Sequence, residues 1–143
     1  MKKIIINVDG GAKNNPGPAA IGVVFSNEKG EIFKKFSHFL GENFTNNEAE
    51  YLAAIFALKK FKQIFGNKLA KNTEIEIRSD SELLVNQIKG KYKVLDPKIQ
   101  PLFLELWNLR LDFKKIRFRL IKRENNKEAD KLVNEILNTK TSS

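Results

Sequence analysis

Cysteine is absent from this 143-residue chain. Its absence excludes a disulfide framework, a thiol nucleophile and a cysteine-ligated zinc site. Histidine occurs once, at His38. Long hydrophobic runs are also missing. The opening "MKKIIINVDGG" has a basic pair and an apolar run too short for a signal-peptide core or a membrane span, and it reads as a strand. There are no internal repeats, low-complexity segments or linkers. A soluble cytoplasmic protein with no membrane partner is expected, and a monomer.

What remains is a globular balance. Apolar residues make up 41% and charged residues 30%, which places the chain outside the disordered class. Its length suits one domain around one hydrophobic core. That domain is expected over residues 1–138, with residues 139–143 a frayed tail. The formal net charge of +9 favours a polyanionic partner such as nucleic acid. The basic excess is spread over both halves rather than gathered in a tail, so a folded face is expected to meet the phosphates.

"KIIINV" is a β-branched run ending at Asp9-Gly10-Gly11, a strand and then a turn. "AAIGVVFS" (19–26) and "EIFKKFSHFL" (31–40) flank "NEKG" as a hairpin. A long helix opens at Thr45, which stands in capping-box spacing with Glu48. "NKLAKN" reads as a loop, "TEIEIRSD" (73–80) as a short strand, and "SELLVNQIK" (81–89) as a helix directly after it. "DPKIQPLFLELWNLRLDF" (96–113) reads as a helix with Asp96 as cap and Pro97 at its first position, or with a later start set by Pro101. Trp107 falls at core spacing with Phe103 and Leu104. "KIRFRLIKR" (115–123) alternates as a strand, and "NNKEADKLVNEILN" (125–138) is a closing helix. The order is β-β-β-α-β-α-α-β-α. An antiparallel hairpin followed by strand–helix alternation predicts an α/β fold, a mixed sheet with helices on its faces.

Four acids stand out by position. Asp9 ends the first strand, and Asp80 ends the strand after the long helix. Asp130 shares a side of the closing helix with Val133 and Leu137. At about 100° per residue, Glu50 shares a helix face with Ala53, Ala54, Ala57 and Phe61. Three of these have ordinary readings: Asp9 starts a turn, Asp80 caps a helix, Asp130 reaches water from the edge of an apolar stripe. Glu50 is harder to place, because an unpaired buried carboxylate is costly. If the first and fourth strands are parallel neighbours, Asp9 and Asp80 meet beyond their carboxyl ends, where ligands of such sheets bind. Carboxylates crowded there repel one another and take up protons unless a divalent cation separates them. Oxygen-only ligands select Mg²⁺ or Mn²⁺.

These stretches carry a resemblance. "VDGGAKNNPGPAAIG" (8–22), "TNNEAEYLAA" (45–54), "SDSELLVNQI" (79–88) and "RENNKEADKLV" (123–133) are ordered and spaced as in type 1 ribonuclease H. No one of them is decisive, but together they span nearly the whole chain. The resemblance implies a ribonuclease H-like fold, a five-stranded mixed sheet with its first three strands antiparallel. It implies that Asp9, Glu50, Asp80 and Asp130 hold two Mg²⁺ (or Mn²⁺) ions with substrate bound, that the RNA strand of an RNA–DNA hybrid is cleaved, and that the ends are 5′-phosphate and 3′-hydroxyl. It matches Asn15, Asn46 and Glu82 to minor-groove contacts, and Thr45 and Asn47 to a phosphate pocket for the DNA strand. Glu82 departs from the glutamine usual there. The histidine that other members carry before the last aspartate is missing, and Arg123, Glu124 and Asn125 fill that loop, with Glu124 a candidate for assisting metal exchange. The segment "GKYKVLDPKI" (90–99) lacks the extended basic protrusion that grips substrate in some members, leaving Lys89, Lys91 and Lys93 to take part of its role. Other substrates on the same fold, duplex RNA or a DNA junction, and a non-catalytic hybrid-binding module remain as alternatives.

Overall fold

The computed structural model describes residues 2–141. Three antiparallel strands come first: β1 (Lys3–Ala12), β2 (Gly17–Ser26) and β3 (Ile32–Phe44). Helix α1 (Asn46–Phe65) and a short α2 (Asn67–Lys71) lead to β4 (Glu74–Ser79). After α3 (Glu82–Ile88) and α4 (Gln100–Leu109), β5 (Lys115–Leu120) closes the sheet and α5 (Lys127–Thr141) follows. The strand order is β3-β2-β1-β4-β5, with β4 parallel to both β1 and β5. This is the five-stranded mixed sheet, its first three strands antiparallel, that the resemblance implied.

The two faces of the sheet are covered by different helices. Ile4, Ile6 and Val8 of β1 and Ile75 and Ile77 of β4 are buried in one core with α1. Helix α1 can lie close because Ala49, Ala53, Ala54 and Ala57 meet the sheet fully buried. Its start is fixed by a capping box: the Glu48 amide donates to Thr45 Oγ1 at 3.1 Å, and the Thr45 amide donates to Glu48 Oε1 at 2.9 Å. On the opposite face, α5 packs Val133 and Leu137 against Ala20.

Several boundaries differ from the sequence reading. "NKLAKN" forms the short helix α2 rather than a loop. Helix α4 begins at Gln100, not behind Asp96; Pro101 stands in its first turn and Ile99 gives no side-chain cap. The fifth strand stops at Leu120, because Arg123–Asn125 turn into a 3-10 helix. Helix α5 runs to Thr141, so three residues of the expected tail are helical; residues 142 and 143 lie outside the described ones. Trp107 is 40% exposed and not a core residue. Helix α4 buries Leu106 and Leu109 instead, which turns Leu104 and Trp107 outward. The Trp107 ring stacks on Phe103, and the Arg110 guanidinium lies 3.6 Å from its centroid. His38 is exposed on β3 and stacks against Phe56.

Candidate metal centre and substrate cleft

The parallel ladder between β1 and β4 runs from Lys3 opposite Glu74 to Asn7 opposite Arg78. Asp9 and Asp80 each lie two residues past the last pair, so the period of two puts them on the same side as that pair. The strands part here, and the two carboxylates stand at the fork. Glu50 arrives from α1. A Cβ on Gly10 would lie 2.3 Å from the Ala49 carbonyl carbon and oxygen and 2.7 Å from the Glu50 nitrogen, so only glycine lets the helix backbone touch the strand. At that contact the Gly10 amide donates to Glu50 Oε1 at 3.0 Å. The alanine face therefore has a purpose: it brings α1 near enough to deliver a carboxylate to the strand end.

Single carboxylate oxygens of Asp9, Glu50 and Asp80 all lie within 4.8 Å of one another. Asp9 and Glu50 are buried, at 7% and 8% exposure. Glu50 Oε2 is buried with no hydrogen-bond partner among the described residues. Burial first, then the charges of Asp80 and Asp130, push the Asp9 carboxyl up to about 7. Burial and the Asp9 charge hold Glu50 well above the usual carboxylate range, against the Gly10 amide, which favours its ionised form. Two buried acids held toward their neutral forms beside a third carboxylate, one of them with an orphaned buried oxygen, fit a divalent cation. The donor set is oxygen only, which suits Mg²⁺ or Mn²⁺.

The fourth acid stands slightly apart. Asp130 lines the same cleft, of about 460 Å³, but lies outside the compact set of three. Its Oδ1 is 3.8 Å from Arg123 Nη2, and its Oδ2 accepts from Asn134 at 3.2 Å. Helix α5 reaches the cleft because Gly22, opposite Asp9 in the sheet, leaves room: a Cβ there would lie 2.3 Å from the Ala129 carbonyl oxygen.

The residues matched to substrate contacts gather around the cleft in part. Asn46 and Asn47 line it. Asn15 and Asn46 interlock, the Asn46 amide donating to Asn15 Oδ1 at 2.8 Å and the Ala12 amide to Asn46 Oδ1 at 2.7 Å. Thr45 uses its hydroxyl in the capping box. Glu82 is exposed and accepts from the Tyr92 hydroxyl at 2.8 Å. Lys89, Lys91 and Lys93 are all exposed on the segment after α3. Glu124 is the exception. It lines a different cleft with Asn7, Arg78 and Lys127, while its neighbour Arg123 faces the acids. Successive side chains of a 3-10 turn point about 120° apart, which sends the two to different sides. Sequence reasoning missed Arg123 as the Asp130 partner, and Asn126, which is 1% exposed and bonded to Asp80.

A reverse transcriptase-like family model matches residues 7–136. The chain belongs to this family, the ribonuclease H-like group, and within it to the type 1 ribonuclease H proteins. It is 35% identical over 129 residues to a ribonuclease HI of Halobacterium salinarum, covering 90% of this chain and 61% of that protein. It is 32% identical over 136 residues to a bifunctional protein of Mycobacterium tuberculosis, covering 94% of this chain and 35% of that one. The chain thus spans about a third of the mycobacterial relative's length. Among solved structures, LC11-RNase H1 in complex with an RNA/DNA hybrid superposes with a TM-score of 0.90 at 44% identity, covering 97% of this chain and 99% of that one. No helix of the described residues is long and apolar enough to cross a membrane.

Proposed function

We propose that this chain is a divalent-metal-dependent endonuclease that hydrolyses the RNA strand of RNA–DNA hybrids. One observation carries the reading: the buried, unpartnered Glu50 Oε2 within a three-carboxylate cluster. The relatives named for this activity and the hybrid-bound neighbour support the choice of substrate. Asp9, Glu50, Asp80 and Asp130 would hold the metal. Two Mg²⁺ or Mn²⁺ ions held there would supply Lewis acidity toward the attacking water and the leaving 3′ oxygen, and the products would carry 5′-phosphate and 3′-hydroxyl ends.

The protein's own residues do the rest. Glu50 stands on the helix side of the cluster, where it meets the 2′-hydroxyl that marks a strand as RNA. Asn15 and Asn46 spend their Oδ1 atoms on backbone amides, which leaves their Nδ2 groups as donors to minor-groove acceptors. Thr45 and Asn47, at the start of α1, take a phosphate of the DNA strand, where helix-end amides favour an anion. Glu82 accepts from a guanine amino group. All four acids come from one chain, so a monomer is sufficient.

The test is incubation of labelled RNA–DNA hybrid, duplex RNA and duplex DNA with Mg²⁺, Mn²⁺ or EDTA. Cleavage of the hybrid's RNA strand alone, abolished by EDTA and by Asp9→Asn, is the expected result. Cleavage of duplex RNA or duplex DNA instead would replace the substrate. Hybrid binding without cleavage under every metal condition would replace the enzyme by a binding module.

A further inference from the structure

Asn126 immediately precedes α5, a place where an asparagine ordinarily caps its own helix. Here its side chain is spent elsewhere. Nδ2 donates to the Val8 carbonyl at 2.8 Å and reaches Asp80 Oδ2 at 3.4 Å. Oδ1 accepts from Asn7 Nδ2 at 3.1 Å. The backbone is engaged as well: the Asn126 carbonyl accepts from the Asp130 amide at 3.1 Å, and the Asn126 amide donates to the Arg123 carbonyl at 2.9 Å. The residue is 1% exposed, so each of these bonds lies in a setting where losing a partner is costly.

Three of these partners belong to different parts of the fold. Val8 is the residue before Asp9 on β1. Asp80 follows the end of β4. Asp130 is one helical turn into α5. We propose that Asn126 is a positioning residue for the metal centre, a buried amide that fixes Asp80 and the start of α5 to the strand carrying Asp9. The inference rests on the reading of the acids as metal ligands.

The chemistry requires an amide. Only a side chain with a donor and an acceptor on one planar group can give to the Val8 carbonyl and to a carboxylate while receiving from Asn7. The Asn7 bond sets the orientation of the amide, so that its NH₂ group and not its oxygen faces Asp80. A carboxylate turned by one such bond presents a defined oxygen to the cation, and hydrogen-bond partners of metal ligands commonly change metal affinity by about 10- to 100-fold when removed.

The experiment compares wild type, Asn126→Ala and Asn7→Val. Mn²⁺ binding is measured by calorimetry without substrate, and kcat and KM on RNA–DNA hybrid at low temperature, alongside melting curves. Asn126→Ala is expected to weaken Mn²⁺ binding by about tenfold and to lower kcat at limiting metal, with KM for hybrid unchanged. Asn7→Val is expected to shift Mn²⁺ affinity in the same direction by a smaller factor. A role in folding alone would lower the melting temperature and leave Mn²⁺ affinity and kcat intact; that result would overturn the inference. If Asn126→Ala does not fold, Asn7→Val decides: unchanged Mn²⁺ affinity would overturn the inference. A wild type that binds Mn²⁺ but leaves hybrid uncut would remove the proposed substrate, and the calorimetry would still decide the role of Asn126.

Discussion

Asp9→Asn should make the metal-free protein more stable. Asp9 lies at the fork of β1 and β4, 7% exposed, with Glu50 and Asp80 beside it. Burial first, then the charges of Asp80 and Asp130, move its pKa from 3.8 to about 7. A difference of about three units corresponds to about 4 kcal/mol held against the ionised form. Asparagine is also a polar group to bury, so roughly half of that, about 2 kcal/mol, is expected to appear as stability. The sign follows from linkage. The folded pKa lies above the unfolded one, so Asp9 adds stability below pH about 4 and loses it as pH rises through about 7. Asparagine does not titrate, so the gap between variant and wild type should be small near pH 4 and full above pH 7. Melting curves in EDTA at pH about 5 and about 8 read this directly. At about 3 °C per kcal/mol for a domain of this size, the variant should melt about 6 °C higher at the upper pH. Saturating Mg²⁺ should narrow the gap by stabilising wild type alone. A variant that melts at or below wild type at pH 8 in EDTA would refute the crowding.

Three further outcomes follow from the same geometry. Metal and proton compete for Asp9, so the Mg²⁺ concentration for half-maximal cleavage should be about tenfold higher at pH 6 than at pH 8; a midpoint independent of pH would contradict this. Gly22→Ala places a methyl group 2.3 Å from the Ala129 carbonyl oxygen, and should cost about 1–3 kcal/mol in denaturant unfolding by pushing α5 outward. Glu124→Gln should leave single-turnover and steady-state rates unchanged, because Glu124 lines a cleft other than that of the acids; a slower steady state with normal single turnover would return it to an assisting role in metal exchange.

Much of this architecture was legible in the residues. The β-branched first strand, the Thr45–Glu48 pair and the acids after strand ends each carry a local signal, and local signals survive folding. Glu50 was legible by contrast, as a carboxylate on an alanine face. What escaped depended on partners distant in the chain. Trp107 has the spacing of a core residue, but spacing gives a helix two candidate faces, and Leu106 and Leu109 took the inner one. Gly10 and Gly22 look like turn and strand glycines; their meaning is a helix backbone pressed against each of them. Asn126 falls inside the helix expected over 125–138, and nothing local marks it until its side chain is seen bonded to Val8 and Asn7, more than a hundred residues away. Arg123 and Glu124 are adjacent in sequence, yet a 3-10 turn separates their roles.

The central claim is that this acidic cluster exists to hold divalent cations. The most direct measurement is anomalous diffraction from a crystal soaked in Mn²⁺. The account predicts a manganese peak in direct contact with Asp9, Asp80 and Glu50 Oε2, the oxygen left without a hydrogen bond. A crystal with manganese bound elsewhere and no peak among these three carboxylates would contradict it.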